Sequence, residues 1–167
     1  MADNRLSDII MRNARLIFRN FAGKADNFNA AGNRNFSVVI DDADLAMQLK
    51  GDGWNVKMRP PRDEDGDPLY YLSVKVNFGS YRPPKIYKVT LDAEGKQKNK
   101  VQLDEDSVDC LDYAELKKCD LKISPYVWSV GDKSGVKAYL SELYACVQED
   151  ELEALYGMPE DDGVPFV

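Results

Sequence analysis

Apolar and polar residues alternate along this chain in short runs, most clearly from Leu69 to Phe78, and Gly, Pro, Asp and Asn interrupt the runs every few residues. Period-two alternation bounded by such residues predicts half-buried strands. Ile9 to Phe18 reads as a first strand, Phe21 to Arg34 (FAGKADNFNAAGNR) as a loop, and Phe36 to Ile40 as a second strand. Asp41 or Asp42 then caps a short helix to about Lys50 by accepting its first free N–H groups, and Gly51 stops it. Trp54 to Arg59 and Leu69 to Phe78 pair across a loop, Pro60 to Pro68, too rich in proline and aspartate for helix. Ile86 to Leu91 and Lys100 to Leu103 flank the turn Ala93-Glu94-Gly95, and Asp104 to Leu111 reads as a second short helix. Leu121 to Trp128 and Gly135 to Val147 flank the turn Gly131-Asp132-Lys133-Ser134. Glu149 to Tyr156 reads as a terminal helix and Gly157 to Val167 as a tail.

Many short strands with a helix or two inserted predict a mainly β fold, most economically an OB-fold-like small barrel over residues 1–147 with an acidic appendage over 148–167. Strand side chains alternate between faces, so parity separates core from surface. From 69 to 78 the even positions Tyr70, Leu72, Val74, Val76 and Phe78 form a core face, leaving Tyr71, Ser73, Lys75 and Asn77 outside. Trp54, Val56 and Met58 face inward and leave Asn55, Lys57 and Arg59 outside. In the last hairpin Leu121, Ile123 and Val127 point inward, and Lys122, Tyr126 and Trp128 outward. A four-residue turn there sets Trp128 opposite Lys137 and Tyr126 opposite Tyr139.

Lys57, Arg59, Tyr71, Lys75, Lys122, Tyr126, Trp128, Lys137 and Tyr139 thus combine cations with exposed rings. Cations displace counterions from phosphates, and rings stack on unpaired bases without reading them, which is what a single strand of nucleic acid requires. The plainer reading is that the rings cap the barrel and the cations solubilise it.

Composition narrows the chemistry. Histidine is absent, which removes the commonest general base, and Cys110, Cys119 and Cys146 form an odd set without a C-x-x-C pair. No catalytic centre, cofactor or metal site is expected, and the reducing cytosol is the natural compartment. Met1 to Arg12 carries Asp3 and Asp8 and no apolar core, unlike a signal peptide, and no window approaches a membrane span. The run Asp63-Glu64-Asp65-Gly66-Asp67 fails the calcium-loop template, since its glycine comes early and Val74 stands where the closing glutamate belongs. It reads as a solvated turn; the enzymatic alternative is a metal-dependent nuclease or resolvase using Asp63, Asp65 and Asp67. The sequence Gly131 to Gly135 (GDKSG) lacks phosphate-loop spacing and joins two strands.

The net charge of −7 is divided unevenly. Residues 1–102 hold 17 Lys+Arg against 13 Asp+Glu, whereas residues 103–167 hold 5 against 16. Such asymmetry fits nucleic-acid binding by one half with an acidic tail on the other. Residues 148–167 contain seven acids and no Lys or Arg, and end Pro159-Glu160-Asp161-Asp162-Gly163-Val164-Pro165-Phe166-Val167. A polyanion with an apolar tip suits a basic-rimmed pocket on a partner. A second non-enzymatic alternative is an acidic interaction module that inhibits a host factor by mimicking DNA.

Asn13 to Ile40, Gly53 to Arg62 (GWNVKMRPPR) and Asp120 to Leu140 (DLKISPYVWSVGDKSGVKAYL) resemble the single-stranded DNA-binding proteins encoded by tailed bacteriophages. The resemblance spans most of residues 9–147. It implies an OB-fold, sequence-tolerant coating of single-stranded DNA in the bacterial host cytoplasm, and a role in DNA replication or recombination, with self-association compatible. Asp161, Asp162, Pro165 and Phe166 are similar to the acidic tip of bacterial single-stranded DNA-binding proteins, which implies recruitment of replication or recombination proteins. In those proteins the phenylalanine is terminal; here Val167 follows it, and a glycine replaces one acid.

Overall fold

The computed structural model describes residues 7–150 except 28, 62 and 65, together with Leu152. The expected terminal helix and tail therefore lie almost wholly outside the described residues, as do Asp65, Asp161, Asp162, Pro165 and Phe166. The strands are β1 (Ile9–Ala14), β2 (Leu16–Asn20), β3 (Arg34–Ile40), β4 (Val56–Arg59), β5 (Leu69–Val76), β6 (Lys85–Leu91), β7 (Gln97–Leu103), β8 (Lys118–Val130) and β9 (Lys133–Gln148). An α-helix, α1 (Ala43–Gly51), sits between β3 and β4, and a 3-10 turn covers Val108–Asp112.

The principal ladder runs β1-β8-β9-β5-β3-β2, with β4 on β5 and β6 between β9 and β7. The strand β9 is the hub. It pairs antiparallel with β8, then parallel first with β5 (Val74 with Ala138, Lys75 with Tyr139) and next with β6 (Lys85 with Glu142 through Leu91 with Gln148). The change of neighbour coincides with a bulge at Ser141: Ile123 faces Leu140 while Lys122 faces Glu142. An extra residue bends its strand, which lets β9 leave one partner and join another.

The expected single strand from Ile9 to Phe18 is two strands. They meet at Arg15, whose carbonyl accepts the Val39 N–H at 2.9 Å, close to Asn13 in the left-handed region (φ 52°). β1 pairs with β8 at one end of the ladder and β2 pairs with β3 at the other. The result is a mainly β, OB-like sheet that is not closed by hydrogen bonds. A single continuous chain segment supplies both of its ends.

The core follows the alternation. Leu72, Val74 and Val76 of β5, Phe36, Val38 and Ile40 of β3, and Leu121 and Ile123 of β8 are buried, joined by Phe21 stacked on Phe36 at 5.1 Å. Burying each such side chain contributes roughly 1.5–3 kcal/mol. α1 seals one end with Ala46 and Leu49. Asp42 caps it, its carboxylate accepting the N–H groups of Asp44 (2.9 Å) and Leu45 (3.4 Å). Gly51 does not stop the helix but is its last residue. The left-handed glycine is Gly53 (φ 100°), which turns the chain so that Trp54 bridges to Val136.

Three further expectations are corrected. Asp104 to Leu111 forms no α-helix; Asp104 and Ser107 close a turn on each other that leads into the 3-10 turn. Met58 and Val127 are 57% and 59% exposed rather than inward, because β4 and the tip of β8 extend past the layer that would cover them. The last hairpin closes on Gly131-Asp132 alone, with Gly131 at φ 60° and Val130 paired to Lys133. Trp128 therefore faces Gly135, Tyr126 faces Lys137, and Tyr139 faces Ser124. At its far end β9 runs to Gln148, the Glu149 N–H donates to the Leu91 carbonyl (2.8 Å), and the Glu149 carboxylate holds Lys98 at 2.6 Å.

Candidate nucleic-acid interface

Residues directly paired across a ladder share a face. Ser124 of β8, Tyr139 of β9, Lys75 of β5, Asn35 of β3 and Asn20 of β2 pair in succession, so one polar and aromatic row crosses five strands. The next pair on this face of β8–β9 is Tyr126 with Lys137, and Lys57 of β4 lies beside Tyr71 of β5.

Asn35, Lys57, Lys75 and Lys137 from these rows line a groove of about 690 Å³ between the start of β4 and the β8–β9 hairpin. The three lysines line it with Trp128, and among the described residues no Asp or Glu does. Gly135 lets the indole lie against the β9 backbone, since a Cβ there would stand 3.0 Å from the ring. Tyr126, 57% exposed, meets Tyr139 edge-on with centroids 5.8 Å apart. Among the described residues, Lys57, Lys75 and Lys137 have no acidic partner within ion-pairing distance. Four lysines elsewhere are ion-paired: Lys96 with Glu94 (3.9 Å), Lys98 with Glu149, Lys117 with Glu115 (3.2 Å) and Lys118 with Asp120 (3.9 Å). Positive charge left uncompensated in a concave site is what draws a polyanion.

Four of the nine expected residues, Lys57, Lys75, Trp128 and Lys137, line this groove; Tyr71, Tyr139 and Tyr126 are paired with the lining residues Lys57, Lys75 and Lys137, and Arg59 and Lys122 stand apart. Arg59 is exposed opposite Leu69, beyond Met58. Lys122 faces Glu142 in a separate depression shared with Asp120, Arg12 and Tyr144. There the Tyr144 hydroxyl donates to Glu142 at 2.6 Å, and that bond to a carboxylate, with some burial, pushes the phenol up to about 12. Tyr71 is held edge-on to Phe18 at 5.5 Å.

The sequence reading missed Asn29, Asn33 and Asn35, which close one end of the groove. The amide groups of Asn33 and Asn35 both donate to the Asn29 side-chain oxygen (3.0 and 2.9 Å), while Asn29 donates to the carbonyls of Lys24 and Asn33. The density of asparagine between 27 and 35 was the available signal. Asparagine side chains cross-tie a loop by bonding backbone groups.

The chemistry of the three thiols is muted. All are free, and burial pushes Cys119 up to about 12, away from the thiolate needed for nucleophilic or redox work.

Among solved structures, the chain is similar to the single-stranded DNA-binding protein from bacteriophage Enc34 in complex with ssDNA (10% identity, 86% of this chain and 88% of that chain, TM-score 0.47). It is also similar to a single-stranded DNA-binding protein encoded by bacteriophage T7 (14% identity, 96% and 100%, TM-score 0.37). No curated protein matches the chain in sequence. The family described as "putative phage ssDNA-binding domain" matches residues 1–164. With nearly all of its residues so matched, the chain belongs to the phage single-stranded DNA-binding domain family, one of binding proteins rather than of enzymes.

Proposed function

We propose that this protein coats single-stranded DNA with little regard to sequence, holding it in the groove between β4 and the β8–β9 hairpin. The observation that carries this reading is a groove lined, among the described residues, by three lysines and no acid in a chain of net charge −7. Lys57, Lys75 and Lys137 neutralise phosphates; Trp128, Tyr126 and Tyr139 supply ring faces to unpaired bases. Stacking tolerates every base, and a duplex has none to offer. The setting is phage DNA replication or recombination in the host cytoplasm.

Fluorescence anisotropy with labelled dT, mixed single strands and duplex tests this. Single strands of either kind should bind alike and duplex far more weakly, with a log–log salt slope of about −0.7 per phosphate neutralised. Lys57→Ala and Lys75→Ala should each flatten that slope by about 0.7, with Arg59→Ala doing less. Equal affinity for duplex, or a strong preference for one sequence, contradicts the reading.

The acidic segment serves as the recruiting arm. Its seven acids and the Pro165-Phe166 pair before Val167 suit a basic-rimmed apolar pocket on a replication or recombination partner. Tethered to the same chain, it also reaches the lysine groove at an effective concentration on the order of millimolar. Removing Gly157 to Val167 should tighten DNA binding, most visibly at low salt where screening is weak, and abolish partner capture. Phe166→Ala should lose the partner and keep most of the competition. A truncation that weakens DNA binding would count against both roles.

A further inference from the structure

Resting on the groove assignment above, we infer that the single-strand track continues past Asn29 and Asn35 into a second cleft, where Phe18 is a base-stacking platform.

The cleft, about 640 Å³, is lined by Phe18, Arg19, Lys24, Asp112 and Tyr113, and it shares Asn29 and Asn35 with the lysine groove. The two depressions are therefore contiguous, divided only by the asparagine knot. A strand leaving Lys75 passes Asn35 and enters the cleft directly.

Phe18 reaches this surface through an irregularity in its strand. Leu16 pairs with Val38 and Ile17 with Ser37, but Asn20 pairs with Asn35, so Phe18 and Arg19 together oppose Phe36. Regular alternation would place Phe18 on the same face as Leu16, in the core. Instead its backbone stands at φ 51°, a conformation that bulky residues rarely adopt, and the side chain is 56% exposed. Strain of that kind persists where surrounding structure enforces it, and it gathers at functional sites. Tyr71, edge-on at 5.5 Å, fixes the ring while leaving it exposed.

The rest of the cleft is consistent with contact by stacking more than by charge. Arg19 and Lys24 are offset by Asp26 and Asp112. Asp112 is itself engaged by the N–H groups of Phe21 (2.6 Å) and Ala22 (3.1 Å). Lys24 lies over the Tyr113 ring at 4.9 Å and donates to its hydroxyl, holding a second ring, 76% exposed, at the rim.

The test is a length series of oligo-dT, up to ~16 nucleotides, the upper range for one OB-type fold. For the shortest strands that bind, Phe18→Ala should match the parent. For strands long enough to enter the cleft it should bind about 5-fold or more weakly, with an unchanged salt slope, since no charge is lost. Phe18→Gly relieves the left-handed backbone while removing the ring, so it should show the same binding loss with undiminished thermal stability. Equal affinity of both variants and parent at every length overturns the extension. If Lys57→Ala and Lys75→Ala also leave binding intact, the groove itself is misassigned; if they weaken it while Phe18 variants do not, the extension alone falls.

Discussion

Replacing Phe36 by Ala is expected to destabilise the fold by about 3–5 kcal/mol, as for other fully buried aromatics cut to a methyl group. Phe36 has no solvent exposure, stacks on Phe21 at 5.1 Å and sits opposite Val74 at the middle of β3. Its loss empties a space walled by β-sheet backbone on one side, which cannot collapse inward. The other ring cannot follow either: the Phe21 N–H is fixed by Asp112 (2.6 Å) and its carbonyl by Arg34 (2.7 Å). Since whole domains are stable by only about 5–15 kcal/mol, this one change consumes a large fraction. Urea unfolding should show a lower midpoint with an unchanged slope. A loss below about 1 kcal/mol would mean that the site relaxes and that the ring pair does not anchor the core.

Trp128→Ala is expected to weaken single-strand binding by about 1–3 kcal/mol, the range for removing one stacking ring. The indole lines the lysine groove and rests on Gly135, at the end of a hairpin whose tip residues Val127 and Val130 are exposed. Little of the core depends on it, so the unfolding midpoint should barely move. The salt slope should also hold, in contrast to the lysine variants. Gly135→Ala is a useful companion: its new Cβ meets the indole at 3.0 Å and displaces it, so a smaller loss in the same direction is expected. A folded Trp128→Ala variant with full affinity removes the ring from the interface. A collapsed one with intact residual binding assigns it to packing.

Much of this site was legible from alternation alone, for a definite reason. In β5 the even positions Leu72, Val74 and Val76 are buried and Lys75 is exposed, as parity requires. The hairpin register was misjudged by two residues, because turn length is set by the backbone at Gly131 rather than by any hydrophobic pattern. An even slip preserves faces. Tyr126, Trp128 and Lys137 therefore stayed together although their partners changed. Parity also says which way a side chain points, not whether anything covers it, which is why Met58 and Val127 were misplaced. Phe18 was illegible for the opposite reason: a left-handed residue breaks the period on which the reading depends. The asparagine knot joins Asn29, Asn33 and Asn35 through side-chain bonds that no periodicity encodes.

The central position of β9 has a kinetic consequence. Groove walls that lie far apart in the chain, Lys57 and Lys75 on one side and Lys137 on the other, meet only when the last strand docks beside β5. The same docking completes the core and gives β8 the partner it needs to receive Ile9 at Ile123. Pairings this remote must close large loops before any contact rewards them, so such topologies fold in milliseconds to seconds rather than microseconds. A nascent chain lacking β9 therefore has an incomplete core, without Val136, Leu140 and Leu143, and an incomplete groove, without Lys137. Completing the fold and assembling the groove thus become a single late event.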